Sequence, residues 1–333
     1  MKAAVLFLCA LPLVAAINGT VVNKTSGKPQ AGVTVNLTKI GQGGMEAAGK
    51  AVSDAAGKFQ LEADASSPYL VQAHWQGVSY NVQAPPGALA QALDVAIFDA
   101  SSKAGAVQFS QHMILVETDG KDLIVNETVI ASNPDQTTWN NPQSGTLRFF
   151  VPAEARANIM ARATAPGGMP VEREAKQAGA GVYFLDFPIK PGETRFDLSY
   201  KMPAGSPSVL SGKVVHAPGP VRLVVPQGIT VEGDGLAPLG NEPQTQAAIF
   251  EIKNAQYKIT VNGTGSLRPA ANAAAGAAAG ATSEEDGPRI VEMQPPGYQR
   301  EWKWALGLML AVLALSFAAQ WMKAPGDGSK PSA

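Results

Sequence analysis

The sequence predicts an all-β protein of two or three β-sandwich modules, followed by a disordered stalk and one C-terminal transmembrane helix. Three observations carry this. Apolar residues alternate with polar ones in short runs such as "AGVTVNLTKI" and "KFQLEA", the period-two signature of half-buried strands. Gly (34 residues) and Pro (25 residues) punctuate those runs, and no helix-period stretch of useful length precedes residue 300. The segment Trp304 to Met322 carries no charge at all.

Residues 1–16 read as a signal peptide. Lys2 supplies the positive end, Ala3 to Val14 is apolar apart from the break at Pro12, and Val14-Ala15-Ala16 offers small residues before a cut ahead of Ile17. The single cysteine, Cys9, lies in this leader. A mature chain without cysteine excludes disulfides, thiolate catalysis and Cys-ligated zinc, and suits an oxidising compartment. Leu8 stands where a lipoprotein would have a small residue before its cysteine, so no lipidation is predicted. The whole chain has 26 basic and 27 acidic residues; the leader removes Lys2 and no acid, leaving a net charge of −2. Nothing in that balance steers towards nucleic acid.

Residues 17–98 form the first expected sandwich, with about seven short strands. Val33, Val35 and Leu37 share one face, as do Phe59 and Leu61, and "GQGGMEAAG" between them reads as a flexible loop. In "SDAAGKFQL", Asp54 and Gly57 are read as structural turn residues. The carboxylate bonds nearby backbone N–H groups, and glycine takes the positive φ that closes the loop.

The strands and turns "GTVVN…SGKP…GVTVNL…SDAAGKFQL…HWQG" resemble the carboxypeptidase regulatory-like domain, over about 80 of the 333 residues. Gly19, Val21, Gly27, Pro29, Val33, Val35, Leu37, Asp54, Gly57, Phe59, Leu61 and Gly77 fill its pattern; Ser53 stands where the family usually has Thr. The resemblance implies a transthyretin-like or carbohydrate-binding-like β-sandwich. It implies no activity, since such modules occur beside many partners.

Residues 107–203 form a second expected sandwich. It opens with the hairpin "HMILVETDGKDLIVNETVIAS", where Asp119 and Gly120 read as structural residues of a type I′ turn. Residues 207–263 hold a further β region, either a small third domain or part of the second. Residues 264–299, rich in Ala, Gly and Pro and without an apolar stripe, are expected to be a disordered linker. The span 304–322 would cover about 28 Å as a helix, close to a bilayer's hydrocarbon thickness. Trp302, Trp304 and Trp321 sit at its edges as membrane-interface residues. Residues 323–333 would form a short cytoplasmic tail.

Known catalytic patterns are missing. His74, His112 and His216 lack a Glu three residues on, and the chain has no HExxH, G-x-S-x-G, phosphate-binding glycine loop or calcium loop. Glu284, Glu285 and Asp286 read as a solvated run in the linker. No catalytic residue, metal or cofactor is predicted. Trp75, Tyr80 and Trp139 are the candidate ligand-binding aromatics, against an ordinary packing role. Asn18, Asn23, Asn36, Asn126 and Asn262 begin N-x-T triplets, which would be glycan acceptors in a eukaryotic secretory protein. The short leader and Ala/Gly-rich linker point instead to a bacterium.

These readings predict a non-enzymatic single-pass protein of the cytoplasmic membrane, with its β domains outside and a membrane or extracytoplasmic protein as partner. A carbohydrate- or cell-wall-binding module, taking a glycan on exposed aromatics, is the alternative. A hydrolase with an unrecognised site in 107–263 is the third reading.

Overall fold

The alternating runs become strands. A computed structural model describes residues 15–41, 43–64, 66–87, 92–216 and 219–267, all within the first of two units of the chain, Met1–Arg268. Residues 1–14 of the expected leader, the expected linker beyond residue 267, the expected span with Trp302, Trp304 and Trp321, and the expected tail lie outside the described residues. Among the described residues no helix is long and apolar enough to cross a membrane. They are all-β apart from one 3-10 segment, Ala153–Asn158.

The first region has eight strands: β1 (Ala15–Asn23), β2 (Lys28–Pro29), β3 (Thr34–Gly41), β4 (Gly44–Val52), β5 (Lys58–Ala63), β6 (Tyr69–Trp75), β7 (Val78–Ala84) and β8 (Leu93–Ile97). One sheet centres on β1, which pairs with β2 and β5 antiparallel and with β8 in parallel; the other runs β4-β3-β6-β7. Inward residues of both, including Val21, Val35, Leu37, Phe59, Leu61, Val71 and Ile97, make one core. Alternation alone explains this, because every second side chain of a strand points to the same face.

Two expectations need correction here. The loop "GQGGMEAAG" is largely strand: β4 pairs along the whole of β3, from Gly41↔Gly44 to Thr34↔Val52. Its side chains are almost all exposed, so no hydrophobic pattern betrayed it. Backbone pairing to β3 overrides the low strand preference of glycine and alanine. Ala15 and Ala16, assigned to the leader, lie in β1 opposite Ala63 and Glu62.

Sixteen further strands follow: β9 (Asp99–Ser101), β10 (Gln108–Thr118), β11 (Asp122–Asn133), β12 (Thr137–Trp139), β13 (Leu147–Phe150), β14 (Met160–Thr164), β15 (Val171–Glu172), β16 (Lys176–Gly179), β17 (Val182–Leu185), β18 (Gly192–Pro203), β19 (Ser208–Lys213), β20 (Val221–Val225), β21 (Ile229–Glu232), β22 (Leu236–Asn241), β23 (Ala248–Ile252) and β24 (Gln256–Gly263). An eight-stranded sheet runs β15-β14-β18-β11-β10-β20-β23-β22. Three-stranded sheets β13-β17-β16 and β19-β24-β21 and a two-stranded sheet β12-β9 complete the region, and the three larger sheets contribute to one core. Segments 107–203 and 207–263 share the large sheet, because β10 pairs in parallel with β20 from His112↔Val221 to Leu115↔Val224.

The turns differ from one another in instructive ways. Asp54 Oδ1 accepts from the N–H groups of Ala56 (2.9 Å) and Lys58 (2.7 Å). Gly57 there has φ 73°, and a Cβ on it would stand 2.7 Å from the Val21 carbonyl oxygen. Asp119 Oδ1 likewise accepts from Lys121 and Asp122, both at 2.8 Å, which holds its carboxyl below the usual range. Only Gly120 has positive φ in that turn, and the flanking pair is Thr118↔Leu123. The predicted type I′ turn is therefore not formed; the loop is longer, and the Asp side chain organises it. The turn with positive φ at both central residues is Gln76–Gly77, joining β6 to β7 (φ 47° and 77°). The expected linker also starts later than residue 264. Gly265 bridges Thr118, and Glu117 Oε1 accepts from Ser266 Oγ and Leu267 N–H, both at 2.7 Å.

The Asp54–Gly57 geometry sets a stability test. Gly57→Val meets both an unfavourable φ and the Val21 oxygen, and should cost more than about 1 kcal/mol in denaturant unfolding. Asp54→Asn keeps an acceptor oxygen and should cost less. Equal costs would contradict the steric account.

Candidate functional site

The first and second β regions meet at a junction built from the aromatic candidates. Tyr80 points inward from β7, and its hydroxyl donates to the Phe98 carbonyl or shares a proton with Thr138 Oγ1, both at 2.8 Å. Burial pushes this phenol above its ordinary pKa. Trp75 Nε1 donates to Asp99 Oδ1 (3.0 Å), which also accepts from Asn23 Nδ2 (2.8 Å). Trp139 Nε1 donates to the Ser102 carbonyl (3.2 Å), while its backbone exchanges two hydrogen bonds with Ile189. β9 and β12 pair in parallel between these residues, and Thr25 Oγ1 donates to the Gln136 carbonyl. The three candidates thus lie close in the fold, with each polar atom bonded within the chain.

Lys190 closes the junction from the second region. Its ammonium donates to the Ser79 carbonyl (2.5 Å) and lies 4.9 Å from the centre of the Tyr80 ring. Burial pushes its pKa down to about 8. One carbonyl and one ring face replace only part of the hydration an ammonium loses.

Beside Lys190 a groove of about 590 Å³ opens between the two regions. Its floor is the outer face of β6 and β7, with Leu70, Gln72, Ser79, Asn81 and Gln83; Met45 and Asn140 also line it. Its wall is formed by residues 165–173 and 186–190, including Met169, Val171, Arg173 and Phe187. Met45 and Met169 are more than half exposed. The Arg173 guanidinium stands 5.3 Å from the centre of the Phe187 ring. Asp186, the one carboxylate among the described lining residues, pairs with Lys176 at 3.5 Å.

A second constellation is buried. His112 on β10, Glu127 on β11 and Tyr200 on β18 occupy inward positions of mostly apolar alternations. Glu127 accepts from His112 Nε2 and from the Tyr200 hydroxyl, each at 2.8 Å. On its other side, His112 Nδ1 and His216 Nε2 share a hydrogen bond (2.9 Å). The Tyr200 hydroxyl is held far above its usual pKa, first by burial and then by the Glu127 charge. Neither His112 nor Glu127 lines the groove. Sequence motifs missed this set because its members are far apart in the chain. The available signal was a polar residue breaking the apolar phase on neighbouring strands.

The remaining residues have plain positions. His74, on the outer face of its sheet, bonds Asn36 Nδ2 (3.0 Å) and Ser79 Oγ (2.8 Å). Asn23, from an N-x-T triplet, is only 2% exposed. Among the described residues no three His, Cys, Asp or Glu side chains are grouped to hold a metal ion. Glu284, Glu285 and Asp286 lie outside the described residues.

No family model matches the chain, and no curated protein is significantly similar to it. Solved structures that resemble part of it include the M1 zinc metallopeptidase from Deinococcus radiodurans, at 12% identity and TM-score 0.27. A variant of that enzyme bound to a Tyr-Ser-Ala substrate matches at the same identity and TM-score, and a two-domain M1 zinc metallopeptidase variant bound to L-tryptophan at 13% and 0.26. In each case the match covers 46% of this chain and 42% of the other. A likeness this slight carries neither fold nor chemistry across.

The Lys190 environment gives a pH dependence with a definite sign. The amine titrates at 10.5 when solvated and at about 8 in the folded chain. Between these values the unfolded chain binds more protons, so stability rises with pH, by on the order of 3 kcal/mol in full. Above about pH 10 the sign reverses, because Tyr200 and Tyr257 resist ionisation only when folded. Denaturation midpoints should climb from pH 8 to 10 and then fall. Lys190→Met should flatten the climb and leave the fall; an unchanged climb would show that another group is responsible.

Proposed function

We propose that this chain is a non-enzymatic binding or scaffold protein, tethered by its C-terminal apolar segment with its β regions outside the cytoplasmic membrane. A protein partner docks in the groove between the first and second β regions. Within this reading the first region is a carboxypeptidase regulatory-like sandwich, and its eight strands in two sheets support that assignment.

The observation that carries the proposal is the lining of the groove. Exposed Met45 and Met169 flank a floor of carboxamides, with Arg173 on the wall. Adaptable thioethers, neutral amides and an arginine laid on an aromatic ring suit a polypeptide surface. A glycan would use the same carboxamides but normally also stacks on an aromatic face. Trp75, Tyr80 and Trp139 are engaged at the junction, and Arg173 covers Phe187. The buried Glu127–His112 pair lends the hydrolase reading little support, since it does not reach the groove.

Co-purification from native membranes tests this. Met45→Asp with Met169→Asp changes two exposed side chains and should abolish recovery of the partner without altering the melting temperature. Leu239→Asp changes an equally exposed residue that does not line the groove, and should have no effect. Partner recovery that survives the double variant would remove the groove from the proposal.

A further inference from the structure

We infer that the free edge of β7 accepts an acidic, extended polypeptide segment as an added fifth strand of its sheet. The inference rests on the groove reading and specifies how that groove is used.

Strand phase comes first. The two-residue turn Gln76–Gly77 makes Trp75↔Val78 the closing hydrogen-bonded pair. Pairs then alternate, so the backbone N–H and C=O groups of Ser79, Asn81 and Gln83 point away from β6. Among the described residues β7 is the terminal strand of β4-β3-β6-β7, and Ser79, Asn81 and Gln83 are themselves residues of the groove floor. The Lys190 bond to the Ser79 carbonyl agrees with this phase and caps that position. Asn81 and Gln83 are exposed.

Exposed sheet edges recruit other strands, and proteins blunt them with charge, proline or bulges. In the sheets of three or more strands, the other terminal strands are blunted. β2 has Pro29, β4 has Glu46 and Lys50, β5 has Lys58 and Glu62, and β8 has Asp94. β13, β15, β16, β19 and β21 each carry a charged residue, while β22 holds Pro238 and a bulge. β7 reads "VSYNVQA", with neither charge nor proline nor a bulge in its pairing to β6. The exception lies at the groove.

The occupant follows from the wall. Arg173 and Lys190 face the space, and Asp186 is already neutralised by Lys176, so a segment carrying a carboxylate is favoured. A volume of about 590 Å³ takes a few residues of extended chain. A second copy is disfavoured, because edge-to-edge pairing would bring two 165–173 walls into the same space.

The test selects a random short-peptide library on the detergent-solubilised full-length protein. Asn81→Pro removes an outward N–H without breaking the ladder to β6, so the strand should still form; Gln83→Pro is the second variant should the first not fold. Enriched peptides should lose about tenfold or more against Asn81→Pro relative to Asn81→Ala, which removes the carboxamide but keeps the N–H. Methylation of alternate peptide amides should cost about the same factor, and needs no protein variant. Peptides weakened as much by Asn81→Ala as by Asn81→Pro, and indifferent to amide methylation, would overturn edge pairing while leaving the groove as the binding site. Peptides unaffected by either variant or by Met45→Asp with Met169→Asp, or no enriched peptide at all, would overturn both. Self-association abolished by Asn81→Pro would assign the edge to a second copy and overturn the peptide occupant.

Discussion

The arrangement of the two β regions depends on one buried hydroxyl. Tyr80 belongs to the first core, yet its OH reaches Thr138 of the second region as well as the Phe98 carbonyl. Around it, Lys190 fastens the Ser79 carbonyl and Asp99 collects the donors of Asn23 and Trp75. These bonds are short, partly or fully shielded from water, and clustered. Leaving any one partner unpaired costs more than the bond itself contributes. The groove is a consequence: its floor comes from one side of the junction and its wall from the other.

The Glu127 set does comparable work inside the second region. A carboxylate only 4% exposed is tolerable because both its oxygens accept, one from His112 and one from Tyr200. His216 extends the chain of bonds to the segment that precedes β20. The same segment leads into the parallel β10–β20 pairing, so the polar contact and the ladder fix one register. Apolar packing alone would permit several neighbouring registers; a charge that must meet its partners permits fewer.

What the sequence made legible was what alternation encodes. Val33, Val35, Leu37, Phe59 and Leu61 face the first core as their spacing requires. β4 escaped because both its faces are exposed, leaving its backbone to decide. The Asp119 loop escaped because the carboxylate, not the backbone turn type, organises it. Gln76–Gly77 forms the I′ turn although glutamine rarely takes positive φ; the tight register from Trp75↔Val78 onward imposes it. Trp75, Tyr80 and Trp139 were legible as candidate ligand-binding aromatics, but sequence spacing gave no sign that they converge on a junction. Lys190 and the groove depend on contacts between residues more than a hundred positions apart, which no local pattern records.

The central claim is that the junction holds the groove preformed. Cys9 is the only cysteine of the sequence, so in a Cys9→Ser background Gln83→Cys and Met169→Cys place two spin labels on opposite sides of the groove. Electron–electron distance measurement on the full-length chain should give one narrow distribution. Tyr80→Phe combined with Lys190→Met should broaden it. A broad or multiple distribution with the junction intact would contradict the account.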